Sequence, residues 1–248
     1  MEADTYQNLR IAIVGYGKMG KAVEQEALAR GHQVSERLGR MDQDRLAQLD
    51  PEEIDAVIEF THPKSFWTNM EGLLPTGIPV VTGTTGWYDR KDELDDLVQK
   101  SNGGLMYAAN FSVGVNVMFK INKELARIMN RYPEYDPLLE EQHHRYKADA
   151  PSGTAVALAQ DMIDSLERKN TIASDELRTR PPLPDELSVG YVRAGGIIGK
   201  HAISYTSDID QITLSHEAFN RRGFALGAVI AAEYMVGKKG LREFGELF

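Results

Sequence analysis

The sequence contains no cysteine, which excludes disulfides, thiolate catalysis and Cys-ligated zinc. No uninterrupted apolar run approaches the length of a membrane span, so no membrane partner is expected. Basic residues are in deficit, 28 against 37 acids, for a formal net charge of -9. A generally acidic surface repels phosphate backbones, which argues against nucleic acid as a partner. The stretch Met1 to Arg10 carries Glu2 and Asp4 and has no apolar h-region, so no secretory signal is read there and a cytoplasmic protein is expected. Internal repeats and low-complexity segments are also lacking. What remains is an ordinary globular composition, 42% hydrophobic and 26% charged over 248 residues, enough for one large or two modest domains. An anionic metabolite would need a locally basic pocket set against the acidic field.

The first hundred residues alternate short apolar runs with amphipathic stretches. Strands are read at Ile11 to Val14, His32 to Ser35, Asp55 to Phe60, Ile78 to Thr82 and Leu105 to Ala108. Helices are read at Lys18 to Arg30 (stopped by Gly31), Ser65 to Leu74 and Tyr88 to Lys100. This alternation implies an α/β fold, a Rossmann-type doubly wound parallel sheet covered on both faces. The segment Leu38 to Glu53 is short and polar, with room for little more than one or two helical turns.

Near Ser112 the rhythm changes. Val113 to Tyr132 and Ser152 to Lys169 read as helices, Tyr135 to Gln142 as a strand, and the Pro-rich, charged stretch Asn170 to Leu187 as a surface loop. Strand-like runs follow at Ser188 to Arg193, His201 to Ser207 and Gln211 to His216, which together imply a second α+β domain with a mixed or antiparallel sheet. Phe224 to Val236 is a helix with a small-residue face built from Ala225, Gly227, Ala228, Ala231 and Ala232.

Gly15-Tyr16-Gly17-Lys18-Met19-Gly20 follows the first strand and opens the first helix, the setting that strengthens a G-x-G-x-x-G pattern as a dinucleotide fingerprint. Gly15 makes the tight turn, Gly17 lets backbone approach a pyrophosphate, and Gly20 lets helix pack closely on strand. The helix start then presents free amides and a positive dipole end to phosphates. Glu36, about twenty residues further on, is placed for a ribose diol, and Arg37 for a 2′-phosphate or for stacking on adenine. Gly83-Thr84-Thr85-Gly86 and Ala108-Ala109-Asn110-Phe111 follow the fourth and fifth strands, at the carboxyl edge where open parallel sheets bind ligands. Each could be a turn or a loop that binds nicotinamide or ribose.

Glu140-Glu141-Gln142-His143-His144-Arg145-Tyr146-Lys147 runs into Ala148-Asp149-Ala150-Pro151-Ser152-Gly153-Thr154. An extended chain would put His143, Arg145 and Lys147 on one face. Ser152 reads as the N-cap of the following helix, leaving the amides of Gly153 and Thr154 for a carboxylate. Metal ligation, a solvated basic patch and a substrate site are all open for such a cluster. No matching His or carboxylate spacing follows, so no metal is expected. The substrate site fits best, because imidazole and a pocket-perturbed lysine transfer protons near neutral pH.

His143 to Ala155 resembles the H-H-x-x-K-x-D-A-P-S-G-T-A signature of the dihydrodipicolinate reductase family. Gly83 to Gly86, Ala108 to Asn116, Arg193 to Gly195 and Arg221 to Ala228 are similar to it as well, so the resemblance runs nearly end to end. It implies NADH- or NADPH-dependent reduction of a cyclic imine dicarboxylate to tetrahydrodipicolinate, in the diaminopimelate route to lysine. His143 and Lys147 would carry proton donation and substrate positioning, and His144, Lys147, Gly153 and Thr154 would hold the carboxylates. It further implies a homotetramer and a C-terminal helix that returns to the nucleotide domain. That domain then comprises residues 1–112 and 222–248, and the substrate-binding and oligomerisation domain residues 113–221. Gln142 departs from the family pattern, and the short segment after the second strand leaves the choice between NADH and NADPH open. A non-catalytic NAD(H) sensor and another two-domain amino-acid dehydrogenase are the competing readings.

Overall fold

The computed structural model describes residues 8–248; seven of the ten residues read above for a secretory signal lie outside that range. In chain order the elements are β1 (Arg10–Val14), α1 (Lys18–Ala29), β2 (Gln33–Leu38), β3 (Ala56–Glu59), α2 (Pro63–Leu73), β4 (Val80–Thr82), α3 (Lys91–Lys100) and β5 (Gly104–Tyr107). Then follow α4 (Val113–Met129), β6 (Asp136–His143), α5 (Gly153–Ile163), β7 (Thr171–Ala173), β8 (Glu186–Arg193), β9 (Gly199–Thr206) and β10 (Gln211–Ala218). α6 (Arg222–Met235) and β11 (Gly240–Glu243) close the chain. Two compact units result, one of residues 1–113 with 222–248 and the other of residues 114–221.

The first unit is a six-stranded sheet in the order β11-β5-β4-β3-β1-β2, every neighbouring pair parallel. Side chains on a strand alternate between faces, and β1 shows the consequence. Ile11 and Ile13 join a core built with Val23 and Ala27 of α1 and the alanines of α6. Ala12 and Val14 join the opposite core, with Phe66 and Met70 of α2 and Leu94 and Val98 of α3. A sheet buried on both faces needs the near-continuous apolar strands that this sequence supplies.

The second unit is a mixed five-stranded sheet in the order β10-β9-β6-β8-β7. β6 pairs parallel with β8 and antiparallel with β9, while β7 runs parallel to β8 and β10 antiparallel to β9. One core, with Met118 and Ala126 of α4 and Leu158, Ala159 and Met162 of α5, packs against Leu139, Val189 and Ile203 of the sheet.

Several sequence expectations need correction. Asn170 to Leu187 is not wholly loop, since it contains β7, a 3-10 turn at Asp175–Arg178 and the start of β8. The helix read to Lys169 stops at Ile163. The chain then turns so that the Lys169 ammonium, nearly buried, donates to the carbonyls of Pro184 and Glu186 and pairs with Asp136. β11 was not anticipated, because Gly-Leu-Arg-Glu is short and carries no β-branched residue; it is an edge strand held by β5. β6 ends at His143, and the Lys147 amide donates 3.1 Å to the His144 carbonyl, so the cluster is a turn, not an extended strand.

Candidate active site

The fingerprint forms a tight corner at the carboxyl end of β1. Gly15 has φ of +92°, and a Cβ there would lie 2.0 Å from the Phe60 carbonyl oxygen, so only glycine fits. A Cβ on Gly20 would stand 2.5 Å from the Gly15 carbonyl, whereas one on Gly17 would meet nothing within 4 Å, which leaves that backbone open to an approaching ligand. α1 begins with no side-chain cap and no acid in its first turn, so its leading amides and dipole face outward. A cleft of about 780 Å³ opens beside them, lined by Gly15, Gly17, Gly39, Arg40, His62 and Lys64 among others. It lies where strand order reverses about β1, the position at which open α/β sheets bind nucleotides. Glycine corner, uncapped helix start and basic lining fit a dinucleotide pyrophosphate.

Glu36 and Arg37 are not among the cleft-lining residues. Glu36 accepts from Arg45 at 3.0 Å, and Arg37 is bound by Glu24 of α1, with Nε to Oε1 at 2.8 Å. The Tyr16 hydroxyl donates to the same Glu24 carboxylate, which Arg37 first and Tyr16 second hold below the usual carboxylate range. Arg40, which the sequence reading passed over, is the arginine that reaches the cleft.

The loop after β4 is anchored from below by Glu59, the last residue of β3 and wholly buried. Glu59 accepts from the Thr82 hydroxyl at 2.5 Å, the Thr84 hydroxyl at 3.0 Å, the Asn69 amide at 3.3 Å and the Thr61 hydroxyl. Thr84 is buried in this network, while Thr85 is exposed. In the loop after β5, Ala108 and Phe111 are buried, Ala109 is exposed, and the Asn110 side chain accepts from the Ser112 amide at 2.8 Å. A glutamate closing an apolar Ala-Val-Ile strand was the available signal for Glu59, and it went unread.

In the second unit, alternation along β6 buries Leu139, Glu141 and His143 on one face. The turn after β6 separates His143 from the strand register that would have aligned it with Arg145 and Lys147. His143 instead shares its face with Glu141, and its Nδ1 bonds Glu141 Oε2. The other Glu141 oxygen accepts from Arg193 Nη2 at 2.6 Å and from the Ser152 amide at 3.0 Å. Arg193 also donates to the Asp149 carbonyl at 2.7 Å. Ser152 caps α5, its hydroxyl accepting from the Ala155 amide at 3.2 Å, and contacts His201 Nε2 at 3.3 Å. His201 and His143 meet edge to face at 5.2 Å.

Electrostatics follow from burial and these partners. Burial alone would raise the Glu141 carboxyl, but Arg193, the Ser152 amide and His143 together hold it below its ordinary value. Burial lowers the His143 imidazole, and Glu141 offsets this only in part. His201 is pushed down to about 4 by burial, with His143 adding to the effect. Lys147 Nζ binds both oxygens of Asp149 at 2.8 and 2.9 Å. That carboxylate is held below its usual range by Lys147 first, with the Gly153 amide a smaller contributor. His144 is half-buried, its Nδ1 enclosed without a hydrogen-bond partner, and Gly153 and Thr154 form the first turn of α5. Glu141, His143 and His201 bring ligand-type atoms within 4.8 Å of one another, a grouping the linear spacing did not disclose. Arg193 and Glu141 are the residues that sequence reasoning missed here.

Residues 9–111 match the family model described as dihydrodipicolinate reductase, N-terminus, and residues 114–247 the one described as dihydrodipicolinate reductase, C-terminus. A 4-hydroxy-tetrahydrodipicolinate reductase of Christiangramia forsetii is 38% identical over 233 residues, covering 94% of this chain and 95% of its own. One from Neisseria meningitidis serogroup B is 35% identical over 197 residues, 78% of this chain and 72% of its own. The solved dipicolinate-bound dihydrodipicolinate reductase from Paenisporosarcina sp. TG-14 superposes with a TM-score of 0.77 at 22% identity, covering 98% of this chain and 100% of that one, a likeness of fold.

Proposed function

The chain belongs to the dihydrodipicolinate reductase family, and from that premise we infer its reaction, the reduction of 4-hydroxy-tetrahydrodipicolinate to tetrahydrodipicolinate with NADH or NADPH. It is an oxidoreductase of lysine and diaminopimelate biosynthesis. In our reading residues 1–112 with 222–248 bind the dinucleotide, and residues 113–221 bind substrate and assemble a cytoplasmic homotetramer.

The observation that carries the site assignment is that Lys147 Nζ binds both oxygens of Asp149 just before the start of α5, whose Gly153 amide helps to hold that carboxyl below its usual range. A cation and a helix start that converge on one carboxylate are suited to a substrate carboxylate. The substrate of the relatives is a small dicarboxylate, and dipicolinate itself is bound in the Paenisporosarcina enzyme. His144, Gly153 and Thr154 complete the cradle. No helix among the described residues is long and apolar enough to cross a membrane.

The reduced nicotinamide supplies the hydride. The chain's own residues bind, orient and protonate. Hydride addition to a conjugated imine builds negative charge on nitrogen or the adjacent carbon, and a positioned acid meets that charge, typically contributing about 10²- to 10⁴-fold. His143 and Lys147 supply that acid and the positioning. Backbone amides of the Gly15-to-Gly20 corner receive the pyrophosphate. The loops Gly83 to Thr85 and Ala108 to Phe111 border the nicotinamide end, and Glu36 and Arg37 the adenosine end.

The test is NAD(P)H oxidation on adding the condensation product of pyruvate and aspartate semialdehyde, run with each cofactor. Wild type oxidises cofactor. His143→Ala and Lys147→Ala each lower turnover by roughly a hundredfold while leaving cofactor affinity unchanged. Near-normal turnover in both variants would sink the assignment.

A further inference from the structure

We propose that Glu141 is the positioning residue of this site, one of its oxygens fixing the His143 tautomer and the other fixing the start of α5 through the Ser152 amide and Arg193. The proposal rests on the function inferred above. Glu141 is wholly buried, and all three of its hydrogen-bonding neighbours come from different elements: His143 from the end of β6, Ser152 from the start of α5, Arg193 from the end of β8. Arg193 extends the link to the Asp149 carbonyl, so the segment from Asp149 to Ser152 is tied to the same carboxylate at both ends, through Arg193 at Asp149 and directly at Ser152.

An ionised carboxylate only accepts hydrogen bonds. His143 Nδ1 must therefore carry the proton that it shares with Glu141, which leaves Nε2 as the atom available for proton exchange. Charged and titratable groups from every neighbouring element bear on this imidazole. Glu141 favours its cationic form, whereas Lys147 from the following turn and Arg193 from β8 oppose it. His201 from β9 stands edge-on, and its own depressed pKa keeps it neutral near pH 7.

The closeness of Glu141, His143 and His201 also raises a cation as an occupant. Both oxygens of Glu141 already accept hydrogen bonds, one of them from a guanidinium that a cation would have to displace. The grouping is organised as a hydrogen-bond hub. Its role matches that of carboxylates that orient imidazoles elsewhere, where loss of the carboxylate typically costs about 10- to 100-fold in activity.

The test uses the full chain labelled with ¹⁵N-histidine, with His143→Asn to assign the resonance. Wild type shows His143 protonated at Nδ1. In Glu141→Gln the amide oxygen keeps Arg193 and Ser152, and the amide nitrogen faces Nδ1 as a donor, so the proton moves to Nε2. Turnover falls by roughly tenfold or more with cofactor affinity unchanged, and the His143 titration moves to lower pH. An unchanged tautomer, or unchanged turnover, overturns the proposal.

Should Glu141→Gln fail to fold, Arg193→Lys keeps the proposal exposed. It retains the charge and loses the fork, so KM for the dicarboxylate rises by roughly fivefold while His143 stays protonated at Nδ1. An unchanged KM again overturns it. Absence of cofactor oxidation by wild type would instead remove the functional reading, and the tautomer comparison would still decide the role of Glu141.

Discussion

His143 and Arg193 are register partners at the carboxyl ends of the parallel strands β6 and β8, and both side chains reach the one carboxylate of Glu141. The pairing places an imidazole and a guanidinium side by side, and the buried Glu141 carboxylate bonded to both favours the imidazolium more strongly than Arg193 opposes it. Removing the guanidinium leaves that anion short of its strongest donor. Arg193→Ala should therefore destabilise the fold by about 3 kcal/mol or more, as expected when one partner of a buried ion pair is lost. Chemical unfolding at pH 7 measures this, and a loss below about 1 kcal/mol would contradict it.

Glu59 is the corresponding hub of the first unit, with hydroxyls and an amide as its only donors among the hydrogen bonds recorded for it. Glu59→Ala leaves the buried Thr82 and Thr84 hydroxyls without their acceptor, while the Asn69 amide keeps the Thr61 hydroxyl at 3.0 Å. The expected cost is about 2 kcal/mol or more in unfolding free energy. Because the same threonines shape the loop after β4, cofactor affinity should weaken while substrate KM holds. Equal loss of both would mean that the effect is general unfolding.

Arg40 lines the dinucleotide cleft, and Arg37 is held by Glu24. Arg40→Ala is accordingly expected to weaken NADPH binding by roughly tenfold, the scale of one charge-assisted hydrogen bond, and by more than Arg37→Ala does. Glu36→Ala should weaken cofactor binding without changing substrate KM. Fluorescence titration with each nucleotide reads both effects, and a larger effect at Arg37 would reverse the assignment.

Two groups in the second unit set its acid limb. Glu186 is held down to about 2, first by Arg180 and then by the Leu183 amide, against an ordinary 4.5. Its folded pKa is depressed, so its contribution to stability is complete above 4.5 and is lost as pH falls toward 2. His201 sits at about 4 against an ordinary 6.5, so the unfolded chain binds the proton first and stability declines as pH falls from 6.5 toward 4. In thermal melts across pH, Glu186→Gln should flatten the lower part of the decline and His201→Asn the upper part. A decline unaltered by either variant would refute the assignment.

Much of the architecture was legible in the linear chain. Near-continuous apolar runs disclosed β1, β3, β4 and β5, the fingerprint disclosed the corner at Gly15, and Ser152 was readable as an N-cap because capping is a local interaction. β7 and β11 were not legible, since short edge strands are held by their neighbours' hydrogen bonds and carry little pattern of their own.

The sequence by itself determined which residue types were available to the site: two adjacent histidines, a lysine, a helix start and a glycine corner, all specified by local chemistry. The tertiary structure decided how they were paired. Only the parallel register of β6 and β8 brings Arg193 to Glu141 across fifty-two positions of chain, and only the antiparallel register of β6 and β9 sets His201 against His143. A carboxylate buried on a strand face looks like any other glutamate until the fold excludes water from it and supplies its donors. The linear chain therefore offered candidates for the acid and the cradle, and left Glu141 and Glu59, which hold the two loops in place, to the packing of distant elements.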